Sequence, residues 1–312
     1  MAEAVDLSPK EATGLTTSTK DEQTEREPTP KPARDGGRIV PLLSHGFLIA
    51  WALLTTLPLL WAVLSSFKSD QEILTDPWGL PGELRWENWG RAWNEAHIGR
   101  YFLNSAIVVI GALFLTMLFG AMAAYVLARY RFRGSRVVYY AFVGGMMFPV
   151  FLALVPLFFV VKNLGLLGTL PGLILVYAAY SLPFTVFFLT AFFRTLPNSV
   201  AEAAMVDGCG HYGLFFRVML PMARPGLVSV GIFNFLFQWN QYVLPIVLMQ
   251  GEGAEKRWVL AQGLTALAVN EGYQGDFSGL FAGMSIAMLP VLIGYIAFHR
   301  QVQSGLAAGQ LR

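Results

Sequence analysis

The stretch Glu202-Ala203-Ala204-Met205-Val206-Asp207-Gly208-Cys209-Gly210, continuing through His211 to Leu220-Pro221, lies between two strongly apolar runs, residues 171–193 and 225–249. It is polar, interrupted by glycine, too long for a tight turn and too regular for a passive connection. Each flanking run has the ~20 apolar residues that a helix needs to cross ~30 Å of hydrocarbon. The stretch is therefore read as a structured loop outside a bilayer, in an all-α, polytopic membrane protein.

Within it, Ser199-Val200-Ala201-Glu202 has capping-box spacing, so Ser199 is expected to cap a helix whose third position, Glu202, reaches back. Ala201 to Val206 are good helix formers, and Asp207-Gly208 offers a left-handed residue to end the run. A second short helix is expected over Tyr212–Met219, with Leu214, Phe215, Val218 and Met219 on helical spacing, stopped by Leu220-Pro221. Helices this short are marginal alone in water, so a partner must hold them.

Working outward, composition agrees. Of 312 residues, 55% are hydrophobic and 13% charged, about half the charged share of a soluble domain. Mean hydropathy is +0.51. A net charge of +2 argues against a nucleic-acid partner. Cys209, the single cysteine, has no partner for an internal disulfide and reads as a small packed side chain.

Six apolar runs are long enough to span: 41–66, 101–128, 137–161, 171–193, 225–249 and 278–298. None alternates as a barrel strand would, so six transmembrane helices are predicted, with the loop between the fourth and fifth. Residues 1–38 carry almost no large apolar side chains and are expected to be a disordered cytoplasmic tail, leaving residues 39–312 as the membrane domain. The tail is not read as part of a signal peptide, because no small-residue cleavage site follows the first apolar run.

Fifteen of the 22 basic residues fall on one side of this scheme: those of the tail, Arg129, Arg131, Arg133, Arg136, Arg194, Arg217, Arg224, Arg300 and Arg312. The other seven, Lys68, Arg85, Arg91, Arg100, Lys162, Lys256 and Arg257, fall on the opposite side. The positive-inside rule then places both termini and the Glu202 loop in the cytoplasm. On the outer side, residues 67–100 bring Trp78, Trp86, Trp89 and Trp93 together with acids and prolines, a composition suited to the membrane interface or to lying under a docked protein. Residues 250–277 form a second long outer loop. Pro58, Pro149, Pro156, Pro183 and Pro290 each remove a helical hydrogen bond, while Gly111, Gly120 and Gly144-Gly145 permit close helix approach.

Glu202-Ala203-Ala204, Gly208 after three further residues, and Val218-Met219-Leu220-Pro221 after nine more resemble, in order and spacing, the EAA loop of bacterial ATP-binding cassette importer permeases. Asp207 before the glycine is similar to the carbohydrate, or maltose-type, branch; Val218 stands where Ile is usual and Cys209 where Ala is usual. Tyr125-Val126-Leu127-Ala128-Arg129-Tyr130-Arg131-Phe132-Arg133-Gly134 and the Phe237-Gln238-Trp239-Asn240 run are similar to the same branch, and the resemblance covers about residues 40–312. It implies a permease subunit in a bacterial cytoplasmic membrane, with residues about 195–224 forming a coupling helix that sits in a groove of a cytoplasmic ATPase. Glu202, Ala203, Ala204, Asp207, Gly208, Leu220 and Pro221 would carry that contact, with Glu202 meeting a basic residue of the ATPase. The implied partners are a second permease subunit, two ATPase subunits and an extracytoplasmic solute-binding protein. The implied substrate is a mono- or oligosaccharide such as N-acetylglucosamine, chitobiose or a maltose-like glycan.

The fifth run is the most polar inside, with Asn234, Gln238, Trp239, Asn240 and Gln241. On one helix, Asn234, Gln238 and Gln241 fall at i, i+4 and i+7 and share a face. Amides beside an aromatic ring suit a sugar in a transport path; the same residues suit hydrogen bonds between helices, and the sequence leaves both readings open. Asn104, Tyr177, Tyr180 and Ser181 stand in the same position. No metal is expected, since His45, His97, His211 and His299 lack ligand spacing, and no cofactor or catalytic constellation is found. The chain has no Gly-rich phosphate loop ending in Lys-Ser or Lys-Thr, so it is not read as an enzyme that hydrolyses ATP. The alternative reading, an ion-coupled secondary carrier, calls for a buried ionisable group or an inverted repeat; neither is visible.

Overall fold

A computed structural model describes the backbone of residues 39–274 and 276–308, with side chains described for residues 41–269 and 276–298. The expected tail at 1–38 lies outside the described residues, as do Arg312 and the side chain of Arg300. The regular structure of the described residues is helical, with no strand among them. Contacts divide the chain into two compact units at Leu54/Thr55, inside the first helix.

Helix α1 runs from Ile39 to Ser65, and its residues 41–60 are exposed, as an apolar helix facing lipid would be. The segment that follows contains two short helices, α2 (Asp70–Thr75) and α3 (Glu87–Asn94). A capping box forms at α2, where Ser69 Oγ accepts from the Glu72 backbone and Glu72 Oε2 accepts from the Ser69 backbone at 2.8 Å. Lys68, fully buried, donates through Nζ to the carbonyls of Asp76 and Pro77 at 3.0 and 3.1 Å.

Helix α4 (Ile98–Arg129) has 32 residues and is about 48 Å long at 1.5 Å per residue, more than a bilayer's hydrocarbon thickness. After a turn come α5 (Ser135–Met147) and α6 (Val150–Asn163), then α7 (Leu170–Thr195), whose Thr169 cap accepts from Gly172 N at 3.1 Å. The loop side carries α8 (Asn198–Val206) and a second helical stretch, His211–Met222. This stretch is built from α9 (His211–Gly213), a π turn over Leu214–Met219 and α10 (Leu220–Met222). The chain returns through α11 (Arg224–Trp239) and α12 (Val243–Leu248), a 3₁₀ turn at Ala254–Arg257, α13 (Leu260–Gln274) and α14 (Phe277–Ala308).

Within the unit from Thr55 onward, direction can be read from who meets whom. Val108 and Ala112 pack with Leu173, Val176 and Tyr177, while Ala121 and Tyr125 pack with Leu189 and Phe193, so α4 and α7 run parallel. Asn234 reaches Thr185 and Gln238 reaches Ser181, so α11 runs antiparallel to α7. Tyr139 meets Phe187 and Gly145 meets Pro183, which makes α5 antiparallel to α7 as well. The turn at 130–134 and the segment 196–223 therefore share one side, opposite the segments at 66–97 and 249–259.

Four of the six predicted spans are single long helices: Pro41–Ser65, Ile98–Arg129, Leu170–Thr195 and Phe277–Phe298. The other two are broken. α5 and α6 meet at 106° across Phe148-Pro149, where proline pushes the preceding residue out of the helical region. The fifth run divides between Trp239 and Val243, because the Pro245 ring would clash with a helical carbonyl at Gln241. Pro58, Pro156, Pro183 and Pro290 remain inside helices; of the prolines singled out, only Pro149 sits at a break.

Gly120 makes the α4–α7 approach possible: a Cβ there would lie 2.5 Å from Thr185 Cγ2. A Cβ at Gly111 or Gly145 would lie 3.0 Å from Ile174 Cδ1 or 3.1 Å from Pro183 Cγ, a tight fit rather than a clash, whereas Gly144 faces open space. Gly120→Val is expected to destabilise the folded chain by about 1–3 kcal/mol through overpacking, read as a lower unfolding midpoint in detergent.

Candidate functional site

The loop side is assembled on the ends of α4 and α7. Leu196 and Pro197 are extended, and Pro197 occupies the cap position of α8 with φ −65° and ψ 136°. The helix thus starts at Asn198, one residue before the expected Ser199 cap, and no side chain caps it. The capping box predicted for Ser199 and Glu202 does not form, since proline fixes the entry and Ser199 already lies within the helix. The Asn198 side chain is occupied elsewhere: its Oδ1 accepts from Arg129 Nη1, while Arg129 Nη2 donates to Leu196 O at 2.7 Å. At the other end, Gly208 takes φ +84°, and Cys209 N donates to Ala204 O at 2.9 Å, the left-handed termination expected of Asp207-Gly208.

The second helix is longer than expected and passes through Leu220-Pro221 to Met222. Proline has no N–H to give and crowds the carbonyl four residues back, and the preceding turn is widened to π geometry. The chain bends by 75° between His211–Met222 and α11.

One face of this assembly is buried. Leu214, Phe215, Met219 and Ala223, with Ala201, Ala204, Cys209 and Leu220 partly buried beside them, pack on Ala121, Tyr125, Leu189 and Phe193. The Tyr125 ring is the hub, 5.0 Å from Phe215, 5.6 Å from Phe193 and 5.8 Å from Tyr130 between centroids. Tyr130 Oη and His211 Nδ1 pair at 3.0 Å. The other face is open: Glu202, Ala203, Met205, Asp207, Gly208 and Pro221 are exposed, with Val206 at 87% and Tyr212 at 81%. An acid surrounded by unsupported apolar side chains, on a helix fixed from behind, is a surface made for contact.

The polar residues of the fifth run separate. Asn234 and Gln238, each 2% exposed, tie helices together: Asn234 Nδ2 donates to Thr185 Oγ1 at 2.8 Å, and Gln238 Nε2 donates to Ser181 Oγ at 3.0 Å. Thr116 Oγ1 lies 3.5 Å from the same Gln238 nitrogen. Gln241 falls past the end of α11, so the three amides do not share a helix face. Gln238, Trp239 and Gln241 nonetheless line one small cleft, with Ser105, Tyr177 and Val259. Gln238 Oε1 is buried without a protein partner. Trp239 Nε1 is bound to Ala287 O at 3.2 Å, and Asn240 Nδ2 turns back to Leu236 O at 2.8 Å. Asn104 ties α4 to Trp258 O at 2.8 Å, and Tyr180 stacks on Phe237.

Sequence reasoning passed over Arg129, Thr116 and Thr185. The two threonines bond to carbonyls of their own helices, Ala112 O and Ser181 O, which makes them inconspicuous in an apolar run. The Ser181/Thr185 spacing of four was the available signal.

Residues 116–307 match the family described as "binding-protein-dependent transport system inner membrane component". The diacetylchitobiose uptake system permease protein NgcG of Streptomyces coelicolor is 51% identical over 280 residues, covering 90% of this chain and 92% of that protein. The trehalose transport system permease protein SugB of Mycobacterium tuberculosis is 30% identical over 269 residues, covering 84% of this chain and 97% of its own. A chain in the crystal structure of a bacterial ABC transporter involved in the import of the acidic polysaccharide alginate superposes with a TM-score of 0.75 at 22% identity, covering 87% of this chain and 99% of that one. The last likeness concerns the fold.

Arg129→Ala should free the loop from α4. The expected result is faster amide exchange over 198–222, by the equivalent of about 1.5 kcal/mol, at the low end for a charge-assisted bond because the side chain is partly exposed. Amides inside α4 and α7 should keep their protection.

Proposed function

Since the chain belongs to the family of binding-protein-dependent transport system inner membrane components, we propose that it forms the membrane pathway for a small sugar and takes its energy from an ATPase bound at the 196–223 loop. The importer family sets aside the ion-coupled secondary carrier. The relatives are permeases, and the ATP chemistry is assigned to partner subunits. Two ATPase subunits, a second permease and an extracytoplasmic solute-binding protein complete the proposed assembly, with residues 39–312 as the permease domain. The loop side is cytoplasmic in this reading, and so is the end of α14.

The observation that carries the coupling role is the two-faced loop. Its inner face is packed on Tyr125 and Phe193, and its outer face presents Glu202, Ala203, Met205, Val206 and Asp207. A partner that pushes on the outer face moves the ends of α4 and α7 with it. Asn234 and Gln238 tie α11 to the same pair of helices, so the push is shared by three helices. ATP supplies the bias because it binds one closure state of the ATPase in preference to the other.

For the substrate, a sugar such as diacetylchitobiose is supported by the name of the Streptomyces relative and by the chemistry of the cleft. The cleft as it stands has room for about one water, 10 Å³, so a sugar would meet the Gln241 amide and the Trp239 and Tyr177 rings only in a more open arrangement of the helices.

Glu202→Lys is expected to abolish uptake and substrate-stimulated ATPase activity while leaving membrane insertion unchanged; normal uptake by this variant would remove Glu202 from the mechanism. In proteoliposomes with the cognate binding protein, Gln241→Ala should raise the KM for uptake about tenfold, the worth of one hydrogen bond at roughly 1.4 kcal/mol, with kcat nearly unchanged. An unaltered KM would take the cleft out of the path.

A further inference from the structure

Five arginines gather where α4, α5 and α7 end on the loop side: Arg129, Arg131, Arg133, Arg136 and Arg194. Two of them are occupied. Arg129 holds Leu196 and Asn198, and the Arg194 guanidinium lies over the Tyr139 ring, 5.4 Å from its centroid. Arg131 and Arg133, in the turn after α4, and Arg136, in the first turn of α5, are exposed and form no ion pair or hydrogen bond among the described residues. Among the described residues, no carboxylate neutralises them.

Their surroundings are apolar. α5 has no buried residue, and beneath Arg136 the same helix face carries Tyr140, Gly144 and Met147 at i+4, i+8 and i+11, with the two large side chains exposed at 64% and 80%. Val137 beside it and Phe132 between the arginines are also exposed. A face like this lies against acyl chains, which places the aromatic rings at the interface and the arginines one turn higher, among headgroups. A guanidinium presents a planar fork to phosphate oxygens. Six residues of chain span at most ~18 Å, so all three forks reach the same headgroup or adjacent ones.

We propose that Arg131, Arg133 and Arg136, with Phe132 and Tyr140, form a binding site for the phosphate of an anionic phospholipid. Lipid fits better than an acidic protein surface because the arginines continue directly into an unpartnered apolar helix face. The site also touches the coupling machinery: Arg129 and Tyr130, which hold Leu196 and His211, precede Arg131 in the chain. A headgroup that steadies the 130–136 turn steadies the loop behind it, a consequence that rests on the coupling role proposed above, whereas the lipid site itself does not.

The test is native mass spectrometry of the assembled transporter released from bilayers of phosphatidylcholine and phosphatidylglycerol, without nucleotide or substrate. The wild type should retain phosphatidylglycerol selectively. Each single Arg→Gln variant should lose about fivefold of that selectivity, and R131Q/R133Q/R136Q about a hundredfold. R131K/R133K/R136K should keep most of it, and millimolar inorganic phosphate should not displace the lipid. Undiminished phosphatidylglycerol retention by the single variants would overturn the proposal even if the triple variant fails to assemble. So would loss of the ATPase subunits from variants that still retain phosphatidylglycerol in the mixed bilayers, which would assign the arginines to an acidic protein face. Displacement by inorganic phosphate would likewise overturn it, in favour of a site for the free ion.

Discussion

Because Gly111 and Gly120 leave α4 without side chains where α7 crosses its surface, the two parallel helices approach until Ile174 and Thr185 fill the space a Cβ would take. In lipid no hydrophobic drive brings helices together, so close packing and internal hydrogen bonds must do it. Both meet at this contact. Thr185, packed on Gly120, also accepts from Asn234, and Gln238 bridges Ser181 of α7 and Thr116 of α4. The core of the bundle is thus a three-helix unit, α4, α7 and α11, with polar links in its interior and apolar clusters toward both ends. Remaining elements attach to it: the loop through Tyr125, and α13 and α14 through Ile98, Tyr101 and Ile286.

This arrangement explains why the loop can be both structured and exposed. Its helices are too short to persist alone. Held from behind by aromatic rings, by two Arg129 bonds and by the Tyr130–His211 pair, they leave Val206 and Tyr212 open to solvent without collapsing onto the bundle. The stability of the inner face is what allows the outer face to remain apolar and unpaired.

Much of this was legible in the residues. The apolar runs marked the helices, the glycine at 208 ended α8 with a positive φ, and Glu202 is exposed. Other features were hidden for physical reasons. A periodicity count takes 225–249 as one helix, yet Pro245 crowds the carbonyl at Gln241, and with α11 ending at Trp239 that residue leaves the Asn234 face. Ser199 and Glu202 had the spacing of a cap, but Leu196-Pro197 fixed the entry two residues earlier. Arg129 looked like one more interfacial cation; its reach to a carbonyl 67 residues away is tertiary, and no local pattern announces it.

The widened turn at Leu214–Met219 leaves the loop a second possible register. A π turn holds one residue more than an α turn, so its return to α geometry would slide that residue along the helix and rotate the segments on either side by about 100° relative to each other. The segment between α8 and α11 therefore contains slack of one residue, and its release would change the register in which Leu214, Phe215 and Met219 sit on Tyr125 and Phe193 with no helix having to melt.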